Sequence, residues 1–333
     1  MSTGALDGLD AGELARVRPA GARFVKPMLA TLTSDRFTDP GWIFERKLDG
    51  VRAVAVRDER GTRLYSRNEK TMTATYPELA DALGAGTPLV VDGEVVAFDG
   101  AQTSFSRLQG RLGLTDPERA RASGIAVFLY LFDVMVVDGH DVTRLPLRTR
   151  KRLLRDAVRF DDPIRFSTHR NRDGEAYLAE ACERGWEGLI AKRADSDYRP
   201  GLRSGSWLKM KCVREQELVI GGWTDPAGSR SGFGALLVGV YDGDRLRYAG
   251  KVGTGFDATM LRSLRARFDG LAEQRCPFAG AVREKGAHWL RPELVAQIGF
   301  TEWTRDGRLR HPRYLGLRED KDPREVVRED IPA

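Results

Sequence analysis

The stretch ERKLDGVR, residues 45–52, joins two short runs in which apolar residues alternate with others. In the first run Trp42 and Phe44 alternate with their neighbours, a pattern that predicts a half-buried strand. The Asp-Gly pair is a strong turn signal, and the alternation that follows it predicts a second strand. The sequence therefore predicts that Lys47 lies at the end of a strand, directly before a tight turn.

Lys47 is a candidate nucleophile. A lysine attacks a phosphorus or carbonyl centre only when its amine is neutral, and burial or a nearby cation lowers its pKa towards that state. An exposed lysine beside a hairpin is an equally good interpretation of this short motif on its own. The choice between a nucleophilic lysine and an exposed lysine beside a hairpin therefore depends on the other motifs of the chain.

Five further motifs follow in order along the chain: SRN (66–68), DGE (92–94), FD (132–133), EGLIAK (187–192) and WLKMK (207–211). In this order and spacing the six motifs resemble those of the covalent nucleotidyltransferases, which include ATP-dependent DNA ligases, RNA ligases and mRNA capping enzymes. The resemblance extends over residues 23–321. The form EGLIAKR and the tail LRHPRYLGLR (309–318) are similar to one branch, the bacterial ATP-dependent ligases related to ligase C and to the ligase module of ligase D, an end-joining enzyme.

The apolar patterning and the resemblance together predict an α+β fold in two domains. An adenylyltransferase (nucleotidyltransferase) domain of antiparallel sheets with flanking helices is expected over residues 23–214, and an OB-fold β-barrel over residues 215–333. Residues 1–22 are expected to form a flexible or weakly helical extension. The joint is expected near residues 213–216. A glycine-rich turn at residues 228–234 is a candidate contact with nucleic acid, and a plain loop is an equally good interpretation of it.

Strands interrupted by short helices, without strict alternation, favour antiparallel sheets. Strands are predicted at residues 64–66, 89–98, 126–137 and 188–193, and again at 217–223, 235–241, 245–251 and 295–303. Helices are predicted at residues 76–83, 147–158, 174–184 and 257–268.

The composition excludes several classes of protein. No run approaches the ~18 apolar residues of a membrane-spanning helix, and the N-terminal residues lack the apolar core of a signal peptide. The net charge of +6 and the pI of about 9.3 suit a partner with a phosphate backbone. We expect a monomeric cytoplasmic protein associated with the nucleoid. The basic run at residues 148–159 we interpret as the solvated face of a helix.

The three cysteines, Cys182, Cys212 and Cys276, are widely spaced. They cannot form the four-cysteine zinc module that NAD-dependent bacterial ligases carry, and their spacing does not predict a disulfide framework. The missing zinc module is a further reason to expect that the substrate is ATP.

The resemblance implies a reaction in three in-line displacements at phosphorus. Lys47 attacks the α-phosphate of ATP, pyrophosphate leaves, and a lysyl-AMP phosphoramidate forms. The AMP is then transferred to the 5′-phosphate at a nick, and the 3′-hydroxyl finally displaces it. Such steps need an oriented nucleophile and positive charge around the phosphoryl oxygens.

The resemblance also implies catalytic roles for Lys47, Asp49, Lys209 and Lys211. Asp49 would orient metal-bound water or act in strand joining, although it can equally be a simple turn residue. Lys209 and Lys211 alternate on a predicted strand, so both can face the α-phosphate. The alternative interpretation of Lys209 and Lys211 is that they are solvated lysines on an amphipathic edge strand.

Glu94 and Glu187 are the expected ligands of Mg²⁺ or Mn²⁺, because magnesium prefers one or two carboxylates completed by water and phosphate oxygens. Glu45 would lie near the adenine amine. Phe132 would stack on the adenine, although plain core packing is nearly as good an interpretation. The complete expected set for binding ATP is Glu45, Arg52, Arg67, Glu94, Phe132, Glu187, Lys192, Lys209, Lys211, Arg318 and Lys321.

Within that set, Arg52 and Arg67 would contact ribose and phosphate through their guanidinium forks. Lys192 is a third candidate for the α-phosphate. Arg318 and Lys321, with Asp320 between them, best match a basic ligase motif that orients pyrophosphate. The resemblance then implies that the barrel moves between two poses about a hinge near Arg214.

Two alternative functions remain at this point. A capping guanylyltransferase or an RNA ligase would use the same lysine chemistry, but the forms EGLIAKR and WLKMKC favour a DNA ligase. A non-catalytic nucleic-acid-binding module would suit the basic charge and the barrel, but it should have lost Lys47 or the pair of Glu94 and Glu187.

The expected partners are nicked or broken duplex DNA and, from the resemblance alone, the end-binding protein Ku and a separate repair polymerase. No fused polymerase or nuclease module is apparent in the sequence, so we expect the ligase module to stand alone.

Overall fold

The computed structural model describes residues 6–212, 215–226 and 232–329. Contacts between residues divide this chain into a first unit that ends at Cys212 and a second unit that follows it. Part of the predicted joint, including the hinge position Arg214, and residues 228–231 of the predicted turn lie outside the described residues.

The first unit is built mainly from strands. The strands are β1 (Arg18–Pro19), β2 (Leu29–Leu32), β3 (Trp42–Arg46), β4 (Val51–Asp58), β5 (Gly61–Ser66), β6 (Leu89–Asp99), β7 (Gln102–Thr103), β8 (Val127–Val137), β9 (His140–Asp141), β10 (Ile164–Phe166), β11 (His169–Arg170), β12 (Gly188–Arg193) and β13 (Arg203–Lys211). The helices are α1 (Ala11–Leu14), α2 (Pro77–Leu83), α3 (Phe105–Leu108), α4 (Pro117–Ala122), α5 (Leu147–Ala157) and α6 (Gly174–Glu183). The predicted helices at residues 76–83, 147–158 and 174–184 are confirmed to within one residue at each end.

The larger sheet has the strand order β1-β9-β8-β6-β4-β5, with β10 beside β8 and β7 beside β6. Its strands are antiparallel apart from β10, which runs parallel to β8. Along β4, Val51, Ala53 and Ala55 point to one face and form a core with α2, α3 and α5. Val54 and Val56 point to the opposite face, as the twofold alternation of a strand requires.

The smaller sheet has the strand order β11-β3-β12-β13-β2 and is antiparallel except where β2 joins β13. Phe44, Leu189 and Met210 pack on one face against α6. Trp207 points to the other face and shares an apolar cluster with Val54 of the larger sheet. Facing sides of the two sheets therefore meet in one apolar layer.

Residues 6–22 pack onto the first unit, which the sequence analysis did not predict for this segment. Asp10 closes a capping box at the start of α1, and β1 pairs with β9. Leu6, Leu9 and Val17 contact the core of the larger sheet. The helix has only four residues, so its apolar spacing was too short to predict the packing.

The second unit is a small barrel. Its elements are β14 (Glu215–Thr224), β15 (Leu236–Asp242), β16 (Arg245–Val252), α7 (Ala258–Asp269), β17 (Ala272–Glu273), β18 (Ala287–Gly299), β19 (Glu302–Trp303), β20 (Leu309–Arg310), β21 (Arg313–Leu317) and a 3₁₀ turn (Pro323–Glu325). The main sheet has the order β16-β15-β14-β18-β17, with β21 beside β18. A bridge between Thr254 and Arg313 brings the chain after β16 to β21, which confirms the predicted OB-type topology.

One predicted strand of the barrel is wrong in its bounds. The strand expected at residues 295–303 begins at Ala287 and ends at Gly299, and Glu302–Trp303 forms a separate short strand. Pro292 obscured the early start, because proline is unfavourable inside a paired strand. The pairing of β14 with β18 shifts register next to this proline, and such an irregularity accommodates it.

Two sequence predictions about charged and sulfur-containing residues are corrected. Arg150 and Lys151, in the basic run interpreted as a solvated face, are 0% and 3% exposed. Cys182 and Cys212 form a disulfide, although their spacing did not predict one. The end of α6 lies beside the end of β13. Because the two cysteines are 30 residues apart in sequence, their spacing did not reveal this contact.

In the described parts of both units, no helix is long and apolar enough to cross a membrane.

The disulfide predicts how many thiols react in the folded protein. After equilibration with oxidised glutathione, native protein should take up one equivalent of iodoacetamide, at Cys276, and reduced protein should take up three. Reduction should lower the free energy of unfolding of the first unit by about 2–4 kcal/mol, because the bond restricts the unfolded chain.

Intact mass spectrometry and urea unfolding provide the two measurements. The Cys276→Ser variant is the matched control, which should react with no iodoacetamide when oxidised and keep the stability change on reduction. Labelling of three thiols in native, oxidised protein would show that the bond does not form.

Candidate active site

Lys47 continues the pairing of β3 with β12, since its backbone N–H donates to the carbonyl of Gly188 at 2.9 Å. The register sets Glu45 of β3 and Lys209 of β13 on either side of Ile190 in β12. Because side chains alternate along each strand, the motif residues share the face of the smaller sheet that is opposite α6. The residues on this face are Glu45, Lys47, Lys192, Trp207, Lys209 and Lys211.

The ammonium of Lys47 forms an ion pair with the carboxylate of Glu187, and the two side chains are 19% and 10% exposed. Glu187 directly precedes β12. The next residue, Gly188, has a φ of +146°, and a Cβ there would lie 2.0 Å from the carbonyl oxygen of Met210. Only glycine allows this approach of β12 to β13, so Gly188 sets the carboxylate beside the lysine.

Asp49 lies in the turn between β3 and β4. Its carboxylate accepts a hydrogen bond from the N–H of Phe105 at 3.2 Å, and its own N–H donates to the hydroxyl of Thr103 at 3.2 Å. At Gly50 a Cβ would lie 2.2 Å from a carbonyl oxygen of β6. The turn is therefore anchored between β6 and the start of α3, and it holds the chain directly after Lys47.

Glu45 is 2% exposed, and its carboxylate faces other protein groups. It accepts hydrogen bonds from the ammonium of Lys151 at 2.7 Å, the ammonium of Lys192 at 2.9 Å and the hydroxyl of Ser167 at 3.1 Å. Burial by itself raises the pKa of Glu45, but the two ammonium groups outweigh burial and hold this pKa below its ordinary value. Glu45 is therefore an ionised anchor for two buried lysines.

Phe132 lies on β8, on the side of the larger sheet that faces the smaller one. The guanidinium carbon of Arg52 lies 4.7 Å from its ring centroid, and the ammonium of Lys192 lies 4.2 Å from it. Trp207 meets the ring edge-on, with 6.1 Å between the centroids. Phe132 is 8% exposed and packs in an apolar cluster, and its stacking on adenine stays a prediction.

Arg52 is fixed by a bidentate ion pair with Asp92, at 2.5 and 2.6 Å, and also donates to the carbonyl of Met28 at 3.1 Å. Asp92 is fully buried and accepts a further hydrogen bond from the hydroxyl of Tyr198 at 2.5 Å. Burial alone would lower the pKa of Arg52, but the carboxylate of Asp92 outweighs it and raises the pKa. The guanidinium fork therefore binds a protein carboxylate.

Glu94 lies on β6 opposite Arg52 in the strand register, and its side chain is half-buried. Arg67 follows β5 and is also half-buried. Register and burial thus place Glu94 on the side of the larger sheet that carries Arg52.

The two residues of the second unit that were predicted to orient pyrophosphate form ion pairs with carboxylates of the same unit. Arg318 forms a bidentate pair with Asp320, at 2.9 and 2.8 Å, and is 9% exposed. Burial by itself raises the pKa of Asp320, but Arg318 outweighs it and holds this pKa below its ordinary value. Lys321 pairs with Glu217 at 2.9 Å.

Several residues that shape this site were not predicted as site residues from the sequence. Asp92 and Asp133 stood inside quoted motifs, and Asp133 proves to form a fully buried bidentate pair with Arg150, at 2.7 and 2.9 Å. Lys151 and Ser167, which hold Glu45, were not predicted. A basic helix such as the one that carries Lys151 normally faces solvent, and Ser167 lies outside every quoted motif.

The family model of the ATP-dependent DNA ligase domain matches residues 27–211, and the model of the C-terminal region of ATP-dependent DNA ligases matches residues 229–321. The first match alone covers more than half of the 333 residues. The chain therefore belongs to the family of ATP-dependent DNA ligases.

Similar proteins include the multifunctional non-homologous end joining protein LigD of Pseudomonas aeruginosa, which is 40% identical over 319 residues, covering 92% of this chain and 37% of LigD. The LigD protein of Mycobacterium bovis is 38% identical over 314 residues, covering 91% of this chain and 40% of that protein. The chain thus spans about two fifths of the length of these curated relatives.

A solved structure of mycobacterial DNA ligase D, complexed with ATP and MES, is similar with a TM-score of 0.66 and 35% identity, covering 91% of this chain and 98% of the solved one. The ligase domain of Mycobacterium tuberculosis LigD gives a TM-score of 0.50 at 36% identity, with the same coverage.

His169 predicts an effect of pH on the stability of the first unit. It lies opposite Glu45 in the pairing of β11 with β3, and burial, followed by the charge of Lys151, lowers its pKa from 6.5 to about 4. The unfolded chain therefore binds a proton below pH 6.5 that the folded chain binds only near pH 4. The free energy of unfolding should fall as the pH decreases through this window.

The His169→Asn variant should flatten this part of the profile, because asparagine does not titrate. Urea unfolding at several pH values across the window measures the slope. His311→Asn, at an exposed position of the second unit, is the matched control and should keep the wild-type slope. An unchanged slope in His169→Asn would show that the lowered pKa of His169 does not cause this pH dependence.

Proposed function

We propose that the protein is an ATP-dependent DNA ligase that seals 3′-hydroxyl/5′-phosphate breaks in duplex DNA through lysyl-AMP and DNA-adenylate intermediates. The observation that carries the proposal is the ion pair of Lys47 with Glu187, on a sheet face shared with Lys192, Lys209 and Lys211. A similar ligase D was solved with ATP, and similar LigD proteins are named for non-homologous end joining. Both support the proposal.

Lys47 is the proposed nucleophile. Its ion pair with Glu187 holds the ammonium in one place, and attack on the α-phosphate requires the neutral amine, so this pair has to loosen when ATP binds. Lys209 and Lys211 are proposed to neutralise the α-phosphate oxygens, because both alternate onto the face of Lys47. Asp49, in the anchored turn, is proposed to act in strand joining.

The adenosine is proposed to bind between the facing sides of the two sheets. Phe132 and Arg52 would contact the adenosine from the larger sheet, and Glu45 and Lys192 would contact it from the smaller sheet. Arg67, which directly follows β5, would approach from the strand next to β4. Domains over residues 23–214 and 215–333 are proposed as the adenylation and OB-fold domains. Arg318 and Lys321 of the second are proposed to orient pyrophosphate.

A divalent metal, Mg²⁺ or Mn²⁺, is proposed at Glu94 and Glu187. Across the described residues, no three His, Cys, Asp or Glu side chains are grouped so as to hold a metal ion. Two hard carboxylate donors suit a magnesium-like ion whose remaining ligands are water and phosphate oxygens. When bound, the ion would neutralise charge that develops on the phosphoryl group.

The proposed substrates are nicked or broken duplex DNA molecules, for which a net charge of +6 is favourable. Repair of broken ends would involve the end-binding protein Ku and a separate polymerase. An RNA ligase is the alternative function, and sealing assays with matched DNA and RNA nicks would distinguish the two.

The Lys47→Ala variant tests the nucleophile. Wild-type protein incubated with ATP and Mg²⁺ should gain the mass of one AMP and lose it on addition of nicked DNA, whereas Lys47→Ala should gain nothing. Intact mass spectrometry provides the measurement, and the exposed lysine in Lys285→Ala provides a control that should be labelled normally. An adduct on Lys47→Ala, or one formed only with GTP, would refute the proposal.

The Arg318→Lys variant tests the proposed pyrophosphate contact. Lysine keeps a cation beside Asp320 but loses the bidentate fork, so lysyl-AMP formation from ATP should slow by at least about tenfold. Sealing of a nick that already carries AMP should proceed normally, because no pyrophosphate takes part.

Single-turnover rates of the two steps provide the measurement. Arg310→Lys is the matched control, because Arg310 forms an exposed pair with Glu302 in the same unit and should leave both rates unchanged. Equal slowing of both steps in Arg318→Lys would indicate a general defect of the second unit.

A further inference from the structure

Lys151 is a buried cation that the proposed mechanism does not use. It lies on α5 and is 3% exposed. Its ammonium donates to the carboxylate of Glu45 at 2.7 Å, to the carbonyl of Ser167 at 3.0 Å and to the carbonyl of Phe132 at 3.5 Å. An ammonium has three hydrogens, so these contacts use its full donor capacity.

Charge neutralisation does not explain this lysine. Lys192 already supplies one cation to Glu45, at 2.9 Å. With the adjoining pair of Asp133 and Arg150, whose carboxylate also acts on Lys192, the buried group holds three cations and two anions. His169 beside it adds no charge at physiological pH, because burial lowers its pKa to about 4. Burial of an extra charge costs several kcal/mol unless its hydrogen bonds are well formed. The position of Lys151 therefore has to be explained by what its hydrogen bonds hold together.

The hydrogen bonds of Lys151 join both sheets of the first unit. Glu45 belongs to β3 of the smaller sheet, and Phe132 belongs to β8 of the larger one. Through Glu45, Lys151 also fixes Lys192, whose ammonium lies 4.2 Å from the ring centroids of both Phe132 and Trp207. One ammonium thus connects the two sheets where the proposed nucleotide contacts lie.

We propose that Lys151 is a positioning residue for the nucleotide, which holds Glu45 and the backbone of Phe132 at a fixed separation. It acts through these neighbours, since its own side chain is inaccessible. This inference rests on the proposed function, because it assumes that ATP binds between the two sheets. Loss of Lys151 should therefore weaken ATP binding more than it affects steps that follow adenylation.

The Lys151→Met variant tests the inference, because methionine has a similar length and leaves Glu45 paired with Lys192. The KM for ATP in lysyl-AMP formation should rise about tenfold, since small displacements of positioning groups have effects of this order. Sealing of a pre-adenylated nick should keep its wild-type rate. The matched control is Arg152→Met, the exposed neighbour on the same helix, which should leave the KM unchanged.

Two further measurements separate positioning from a purely structural role. A lower melting temperature with a wild-type KM would overturn the inference and assign Lys151 to stability alone. If Lys151 acts through Glu45, the effects of Glu45→Gln and Lys151→Met on KM should be non-additive in the double variant. Additive effects would also overturn it.

The failure of this inference differs from the failure of the proposed function. Absence of any AMP adduct on the wild-type protein would remove the proposed function, and this inference with it. A normal adduct on the wild-type protein, together with a wild-type KM in Lys151→Met, would remove the inference alone.

Discussion

The antiparallel pairing of β3 with β12 is the constraint on which the candidate site depends. It aligns Glu45 with Ile190, and the continuation of the pairing to Gly188 places Lys47 beside Glu187. Because strand side chains alternate, a slip of one residue would turn Lys47 towards the apolar face covered by α6 and expel Phe44 from its core. Apolar packing on one face of the sheet therefore fixes the chemistry on the other.

Three ionic groups that are buried or partly buried support the site, and stability alone does not account for them. Apolar residues of similar volume often stabilise a fold at least as well as a buried ion pair. The pairs of Asp133 with Arg150 and of Asp92 with Arg52, and the cluster around Glu45, instead specify geometry. Each has bidentate or multiple hydrogen bonds, so each allows one arrangement of the elements that it joins.

The sequence was sufficient to predict the order of the motifs and most of the helices and strands, because both depend on local patterns. Strand alternation predicted that Lys209 and Lys211 share a face, and the Asp-Gly turn predicted the position of Lys47. The packing of residues 6–22 and the burial of Lys151 were not predictable in this way. Both depend on contacts with distant parts of the chain. The helix in residues 6–22 is too short to show apolar spacing, and the local pattern of charge around Lys151 favours an exposed helix.

The disulfide also joins distant parts of the chain, so its formation was not predictable from local patterns. It has a structural consequence for the site. It closes a segment that begins on α6, contains Glu187, Lys192, Lys209 and Lys211, and ends at Cys212. The N–H of Cys212 donates to the backbone carbonyl of Glu187 at 3.0 Å, so the covalent link adjoins the backbone of the residue whose carboxylate pairs with Lys47.

The strand pairing and the ion pair that set Lys47 against Glu187 lie within the first unit, as does the disulfide. A side chain held by strand pairing and by an ion pair is preorganised, so its orientation does not have to be rebuilt when other groups approach it.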